Sequence, residues 1–247
     1  MKPFADKVAL VTGAGSGMGR ATALLLADRG AAVTVVGRRA DRLDQVVEQI
    51  KGAGGQALAV PGDVSDAADV ERAVTQTVAK FGALNYAVNN AGVAGNFVLT
   101  ADMPLDAWRR VVGINLDGLF YGLKYQIPAI LDSGGGAIVN ISSVFADRGG
   151  PTVEYSTAKH AIRGLTRTAA REYAGRGVRI NELQPGVIDS EMTQANPEAT
   201  QQVASRGVPL ERVGTGEEIA TAVAFLLSDD ASYITGAHLA VDGGFLA

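Results

Sequence analysis

Short apolar runs alternate with longer amphipathic ones along most of this chain. Val8 to Thr12 is aliphatic and β-branched without a polar interruption, the pattern of a strand covered on both faces. A glycine-rich turn from Gly13 to Gly19 follows, and Arg20 to Asp28 reads as a helix ending at Gly30. The unit then recurs: strand Ala32 to Val36 with helix Asp41 to Lys51, strand Ala57 to Val60 with helix Ala67 to Phe81, and strand Leu84 to Val88. Pro104 to Leu131 is predicted as one long helical stretch containing Asn115. Ala137 to Ile141 is a fifth strand, Thr152 to Ala174 a helix, and Val178 to Leu183 a sixth strand. Glu217 to Leu227 is a last helix and His238 to Val241 a seventh strand. Such alternation calls for an α/β fold with a parallel sheet and helices on both faces.

Between Pro185 and Val213 the pattern dissolves into polar residues with Gly and Pro. So long a connection inside one domain predicts a functional lid over the substrate, at about 187–213. There is no linker and no repeat beyond the βα alternation, so residues 1–247 are expected to form a single dinucleotide-binding and catalytic domain.

Composition narrows the function classes. A formal net charge of −4 gives no electrostatic reason to expect nucleic acid or an acidic membrane as partner. The chain has no Cys, which excludes disulfides, a thiol nucleophile and a Cys-type zinc site. No metal site is expected. The first residues lack a long apolar stretch, and the longest apolar runs, such as Ile219 to Leu227, are half what a bilayer needs. A cytoplasmic protein is the expectation.

Gly13, Gly17 and Gly19 stand between the first strand and first helix, where backbone N–H groups and the helix dipole favour an anion. The spacing is T-G-x-x-x-G-x-G, with Met18 where the strict G-x-G-x-x-G would need its last glycine. No G-K-[ST] follows, which disfavours a triphosphate P-loop. The second strand leads into Gly37-Arg38-Arg39 with no acid before Asp41. An acid here would meet a free ribose hydroxyl, whereas an Arg meets a 2′-phosphate. NADP(H) is therefore expected to be preferred, NAD(H) remaining possible, with Arg38 the first contact and Arg39 the second.

Tyr155 and Lys159 are four residues apart in a helical run, which places both on one face. A unit charge at about 4 Å is worth ~4 kcal/mol at an effective dielectric of ~20, enough to bring a phenol from ~10 towards neutral pH. Such a pair can give a proton to a carbonyl oxygen or take one from an alcohol.

Taken in order, Thr12-Gly13 to Gly19, Asp63-Val64, Asn89-Asn90-Ala91-Gly92, Asn115, Ser142-Ser143, Tyr155 to Lys159 and Pro185-Gly186 resemble the short-chain dehydrogenase/reductases of the ordinary ~250-residue type. The resemblance runs from about Lys7 to the C-terminus. It implies a single-domain, Rossmann-type, doubly wound parallel sheet of seven strands and a homotetramer. It also implies that Gly13, Ser16, Gly17, Met18 and Gly19 hold the pyrophosphate side of the cofactor, and that Asp63 and Val64, with Asn90, Ala91 and Gly92, line adenine and ribose. Tyr155 would be the general acid/base. Lys159 would hold the nicotinamide ribose and depress the phenol's pKa, and Asn115 would kink its helix and position a water. Pro185, Gly186, Ile188 and Ser190 would pack along the nicotinamide. Ser143 is expected to be the catalytic serine, from its place at the strand end. The family's usual spacing, counted back from Tyr155, instead lands on Ser142 and leaves the intervening loop one residue short.

The expected reaction is hydride transfer between a nicotinamide cofactor and a small ketone, aldehyde or secondary alcohol. Val93, Gly95, Phe97, Val144, Phe145, Glu154, Val187 and Met192 are the expected substrate wall, and its apolar character favours an uncharged substrate. Three alternatives stay open. One is a 3-oxoacyl-carrier-protein reductase, for which Arg163, Arg167 and Arg171 would form a basic row. The others are a sugar-type dehydrogenase and a catalytically silent nucleotide sensor. His160 and His238 are read as structural.

Overall fold

Strand β1 (Val8–Thr12) is buried along its whole length, and successive side chains enter two different cores. Ala9 and Val11 join Leu26 of α1 (Gly17–Asp28), Leu43 and Ile50 of α2 (Ala40–Gly52) and Ile219 and Val223 of α9 (Gly216–Leu227) on one face of the sheet. Leu10 faces the other way, towards Val74 of α3 (Ala67–Phe81), Leu123 and Ile127 of α5 (Gly118–Asp132) and Ile162 of α6 (Val153–Tyr173). The uninterrupted apolar run thus serves two helical layers at once. The structure is a computed structural model and describes residues 2–247.

The remaining strands are β2 (Ala32–Gly37), β3 (Gln56–Pro61), β4 (Tyr86–Asn89), β5 (Gly136–Ile141), β6 (Val178–Pro185) and β7 (His238–Val241). All seven are parallel in the order β3-β2-β1-β4-β5-β6-β7. Because β1 pairs with β2 on one side and β4 on the other, the winding reverses there and opens a crevice at the carboxyl ends of β1 and β4. Thr12 closes the floor of this crevice. Its hydroxyl accepts the backbone N–H groups of Asn90 and Ala91 at 3.0 and 3.1 Å.

Two elements differ from the pattern-based expectation. The stretch expected as one helix over Pro104 to Leu131 is α4 (Leu105–Val112), a π-turn at Gly113–Asp117, and α5. A π-turn adds one residue without breaking the helical rod, so apolar periodicity hardly registers it. Asn115 lies in this turn, buried. The stretch expected to lack regular structure holds two helices, α7 (Glu191–Gln194) and α8 (Pro197–Gly207). Each opens on a side-chain cap, Ser190 with Thr193 and Asn196 ahead of Pro197. The excursion leaves and returns at one place: Asp189 N–H donates to Gly214 O and Gly214 N–H to Val187 O, both at 2.9 Å. Among the described residues no helix is long and apolar enough to cross a membrane.

Candidate active site

A cleft of about 620 Å³ follows the crevice from the glycine turn to the start of α6. At its first end Gly13 has a φ of +65°, and a Cβ there would lie 2.8 Å from Asn90 Nδ2. A Cβ on Gly19 would collide with the Gly13 carbonyl. Helix α1 opens with Ser16 extended, makes no side-chain cap bond and has no acid in its first turn. Its leading N–H groups therefore meet no acid from their own helix, and the Glu191 carboxylate that reaches Ser16 is paired with Arg39, an arrangement that leaves room for a pyrophosphate.

Beyond β2 the two arginines part company. Arg39 forms an ion pair with Glu191 of α7 at 2.8 Å and touches Ser16 at 3.3 Å. That pair raises the Arg39 pKa and lowers that of Glu191. Arg38 lines the cleft, is exposed, and has no ion-pair partner among the described residues. Across from it, Asp63 accepts the Ser65 backbone N–H and hydroxyl on a single oxygen, at 2.9 and 2.7 Å, which leaves its second oxygen free.

At the other end, Tyr155 and Lys159 of α6 come together with Ser143. Burial raises the Tyr155 phenol above its ordinary value, and the Ser143 hydroxyl opposes that rise. The net direction is thus upward, where the spacing to Lys159 suggests a fall towards neutral pH. Burial brings Lys159 itself down to about 8, partly offset by Glu182. Its ammonium donates to the Ile141 carbonyl at 3.0 Å and lies 5.5 Å from the Tyr155 ring centroid. Ser142 turns its hydroxyl away from Tyr155, onto Glu182. Asn115 is locked to Val93 by paired bonds, Val93 N–H to Oδ1 at 2.8 Å and Nδ2 to Val93 O at 2.9 Å. A Cβ on Gly92 would lie 3.2 Å from Asn115 Oδ1 and 3.7 Å from Lys159 Nζ, so the loop after β4 passes close to both.

The sequence model of a family described as "Enoyl-(Acyl carrier protein) reductase" matches residues 13–246. The chain is 44% identical over 243 residues to a cyclohexanol dehydrogenase of an Acinetobacter strain, covering 98% of this chain and 96% of that one. It is 37% identical over 241 residues to a 3-oxoacyl-[acyl-carrier-protein] reductase of Thermotoga maritima, covering 97% and 98%. A crystal structure of levodione reductase superposes with a TM-score of 0.93 at 40% identity, covering 98% of both chains. The chain belongs to the short-chain dehydrogenase/reductase family of oxidoreductases. Members of this family use NAD(P)(H).

Set in that family, the glycine turn from Gly13 to Gly19, Arg38, Arg39, Asp63, Val64, Asn90 to Gly92, Pro185, Gly186, Ile188 and Ser190 of this dehydrogenase/reductase all line the one cleft. So do Ser143, Tyr155 and Lys159, whereas Asn115 stands behind Gly92 and Val93. The expected substrate wall holds only in part. Val93 and Met192 line the cleft. Val144 is buried inside its turn, and Glu154 is fully buried with one carboxylate oxygen accepting Asn96 N–H at 2.6 Å, so neither forms an open wall. Gly95 is packed against Thr152 and Glu154, Phe97 points into solvent, and Val187 lines a second cavity of about 270 Å³. Phe145 stacks edge-on against Tyr155, ring centroids 6.5 Å apart.

Several participants escaped the sequence reading, among them Glu191, Asp147 and Glu182, and Arg163 was read only as part of a basic row. Glu182 carried a signal, since a Glu inside a strand covered on both faces must be paired. The basic row also breaks here. Arg163 is turned inward to Glu182 and Asp147 and leaves Arg167 and Arg171 without it.

Proposed function

We propose that this protein interconverts a secondary alcohol and a ketone on an apolar, ring-sized substrate, with NADP(H) preferred and NAD(H) accepted. The observation that carries the reading is that Tyr155, Ser143 and Lys159 share one cleft with the glycine turn and the uncapped start of α1. The glycine turn and the α1 N-terminus would hold the pyrophosphate, Asp63 and Val64 the adenine side, Asn90 to Gly92 the ribose, and Pro185, Gly186, Ile188 and Ser190 the nicotinamide. A bound nicotinamide dinucleotide supplies or accepts the hydride.

Everything else falls to the chain. In reduction, Tyr155 gives its phenol proton to the carbonyl oxygen as the C–H bond forms; in oxidation it takes that proton back from the alcohol. A phenol raised by burial is held in the form that donates. Ser143 donates a hydrogen bond to the same oxygen and keeps it in line with Tyr155. Lys159 holds the ribose hydroxyls and supplies positive charge beside the phenol. Asn115 fixes the loop at Val93 that frames the site. The segment 187–213 closes over the substrate, with Met192 and Phe145 beside it.

The ring-sized substrate is supported by two relatives whose names carry a six-membered-ring alcohol or ketone, cyclohexanol dehydrogenase and levodione reductase. The carrier-protein reading is favoured by a relative's name but loses the inward-turned Arg163 from its docking row. Exposed Leu105 and Phe120 on α4 and α5, and Phe225 and Tyr233 near β7, suit the two faces of a homotetramer. Turnover of cyclic and open-chain ketones and 3-oxoacyl thioesters, followed by nicotinamide absorbance with NADPH and NADH, tests the reading. Cyclic ketones with NADPH are expected to be fastest. Dinucleotide binding without turnover of any carbonyl would replace it with the sensor.

A further inference from the structure

Behind the reacting side chains lies a compact set of charges that the proposed chemistry does not require. Lys159 and Arg163 stand one turn apart on α6 and point to the same side. Arg163 Nε donates to Glu182 Oε2 of β6 at 3.2 Å, and its Nη1 donates to Asp147, just past the serine turn. Gln184 Nε2 holds the other Asp147 oxygen at 2.9 Å. The second oxygen of Glu182 accepts the Ser142 hydroxyl. Glu182 is 1% exposed and Ser142 3%. One carboxylate therefore joins β6, α6 and the turn that carries Ser143.

This set is a poor device for stability. Burying charges costs desolvation that their attraction seldom more than repays, and an apolar side chain in the strand would avoid it. Nor are its bonds complete, because the buried Arg163 Nη2 and Gln184 Oε1 have no hydrogen-bond partner. Its charge balance suggests another purpose. Arg163 keeps Asp147 ionised, with a pKa of about 2, and Asp147 in turn raises the Arg163 pKa. With Arg163 and Lys159 positive and Asp147 and Glu182 negative, the set is neutral only while Lys159 keeps its proton.

We propose that Glu182, clamped by Arg163 and Ser142, is a positioning residue for the reaction: through Ser142 it fixes the turn that presents Ser143, and its carboxylate is the counter-charge to the Lys159 ammonium beside Tyr155. The link runs through the serine turn: Lys159 bonds the Ile141 carbonyl, and Glu182 bonds the side chain of the next residue, Ser142. The other groups around Lys159 are Tyr155 and Arg163 on its own helix, Ser142 and Ser143 on the serine turn, and Gly92 with Asn115 from the β4 side. His238, in register with Glu182 on β7, and Asp147 stand one layer out. The inference rests on Tyr155, Lys159 and Ser143 being the reacting set.

Glu182→Gln keeps the shape and removes the charge. Lysine side-chain NMR titration, with the Lys159 signal assigned by its loss in Lys159→Met, should show Lys159 releasing its proton about one pH unit lower than in the parent protein. In ketone reduction the alkaline limb of the pH profile should move the same way, and kcat at neutral pH should fall about tenfold while the dinucleotide Kd stays within about twofold. In Glu182→Leu/Arg163→Met, which removes one charge of each sign, the protein should stay folded and Lys159 should titrate close to its parental value. A Lys159 titration unchanged in Glu182→Gln overturns the proposal whether or not the parent protein turns over a ketone. An active parent whose Glu182→Gln variant differs only in melting temperature also overturns it. A parent inactive on every carbonyl, but with Lys159 shifted in the variant, would sink the assigned function and leave the electrostatic role standing.

Discussion

The two ends of the cleft are built from different materials. The end at the glycine turn is backbone: Gly13 and Gly19 have no room for a side chain, and the first N–H groups of α1 carry no side-chain cap. The end at α6 is all side chain, with Tyr155, Lys159 and Ser143 supported by the Glu182 carboxylate from β6 and the Arg163 guanidinium one turn further along the same helix. A backbone site tolerates almost no addition at its own positions and little depends on its neighbours. A side-chain site should keep its fold when one supporting member is substituted, yet its chemistry should shift with groups that never touch a substrate.

Substitutions at each end should expose that difference. Tyr155→Phe removes the proton and leaves the ring, so ketone reduction should fall by about 10² to 10⁴, with dinucleotide affinity nearly intact in a fluorescence titration. A variant with more than a tenth of parental turnover would move the acid to another group. Gly19→Ala should act in the opposite sense: its Cβ meets the Gly13 carbonyl, so stability should drop by about 1–3 kcal/mol and dinucleotide binding should weaken before catalysis on bound cofactor does. Arg38→Asp should cut the kcat/KM preference for NADPH over NADH by about ten- to a hundredfold, the worth of one charge-assisted contact. Glu191→Gln frees Arg39 and should raise that preference, by less. An unchanged ratio in both would take the 2′-phosphate contact away from this loop.

The smallest effect concerns acid. Asp147 is depressed to about 2 by its bond to Arg163, below its ordinary 3.8. A carboxylate lowered on folding contributes stability that is present above the ordinary value and lost as pH falls through the folded one. The urea midpoint of Asp147→Asn should therefore lie below the parent at pH 5 and above, and the gap should narrow between about pH 4 and pH 2. A gap that stays constant through that range would mean Asp147 is not held by charge.

The same contrast decides what could be read from the sequence. Glycine positions report backbone geometry directly, so Gly13 to Gly19 between a strand and a helix announced their end of the cleft, and the βα alternation announced the sheet. Tyr155 and Lys159 were legible because helical spacing puts them on one face. Their setting was not. That Lys159 is buried, and that Glu182 opposes its loss of charge, depends on which strands and helices pack together, and no local pattern carries that. The caps at Ser190 and Asn196-Pro197 were readable signs of two helices in the segment expected as irregular, masked there by its overall polarity. Val144 and Glu154 were misplaced for a plainer reason: nearness in sequence to Ser143 and Tyr155 does not decide which way a neighbouring side chain points.

Thr12 has a further consequence. A single hydroxyl accepts two successive amides from the turn that follows β4, so the lips of the opening cannot separate unless both bonds fail together. The width of the slot is thus set by the chain itself, through one threonine, and not by whatever comes to fill it.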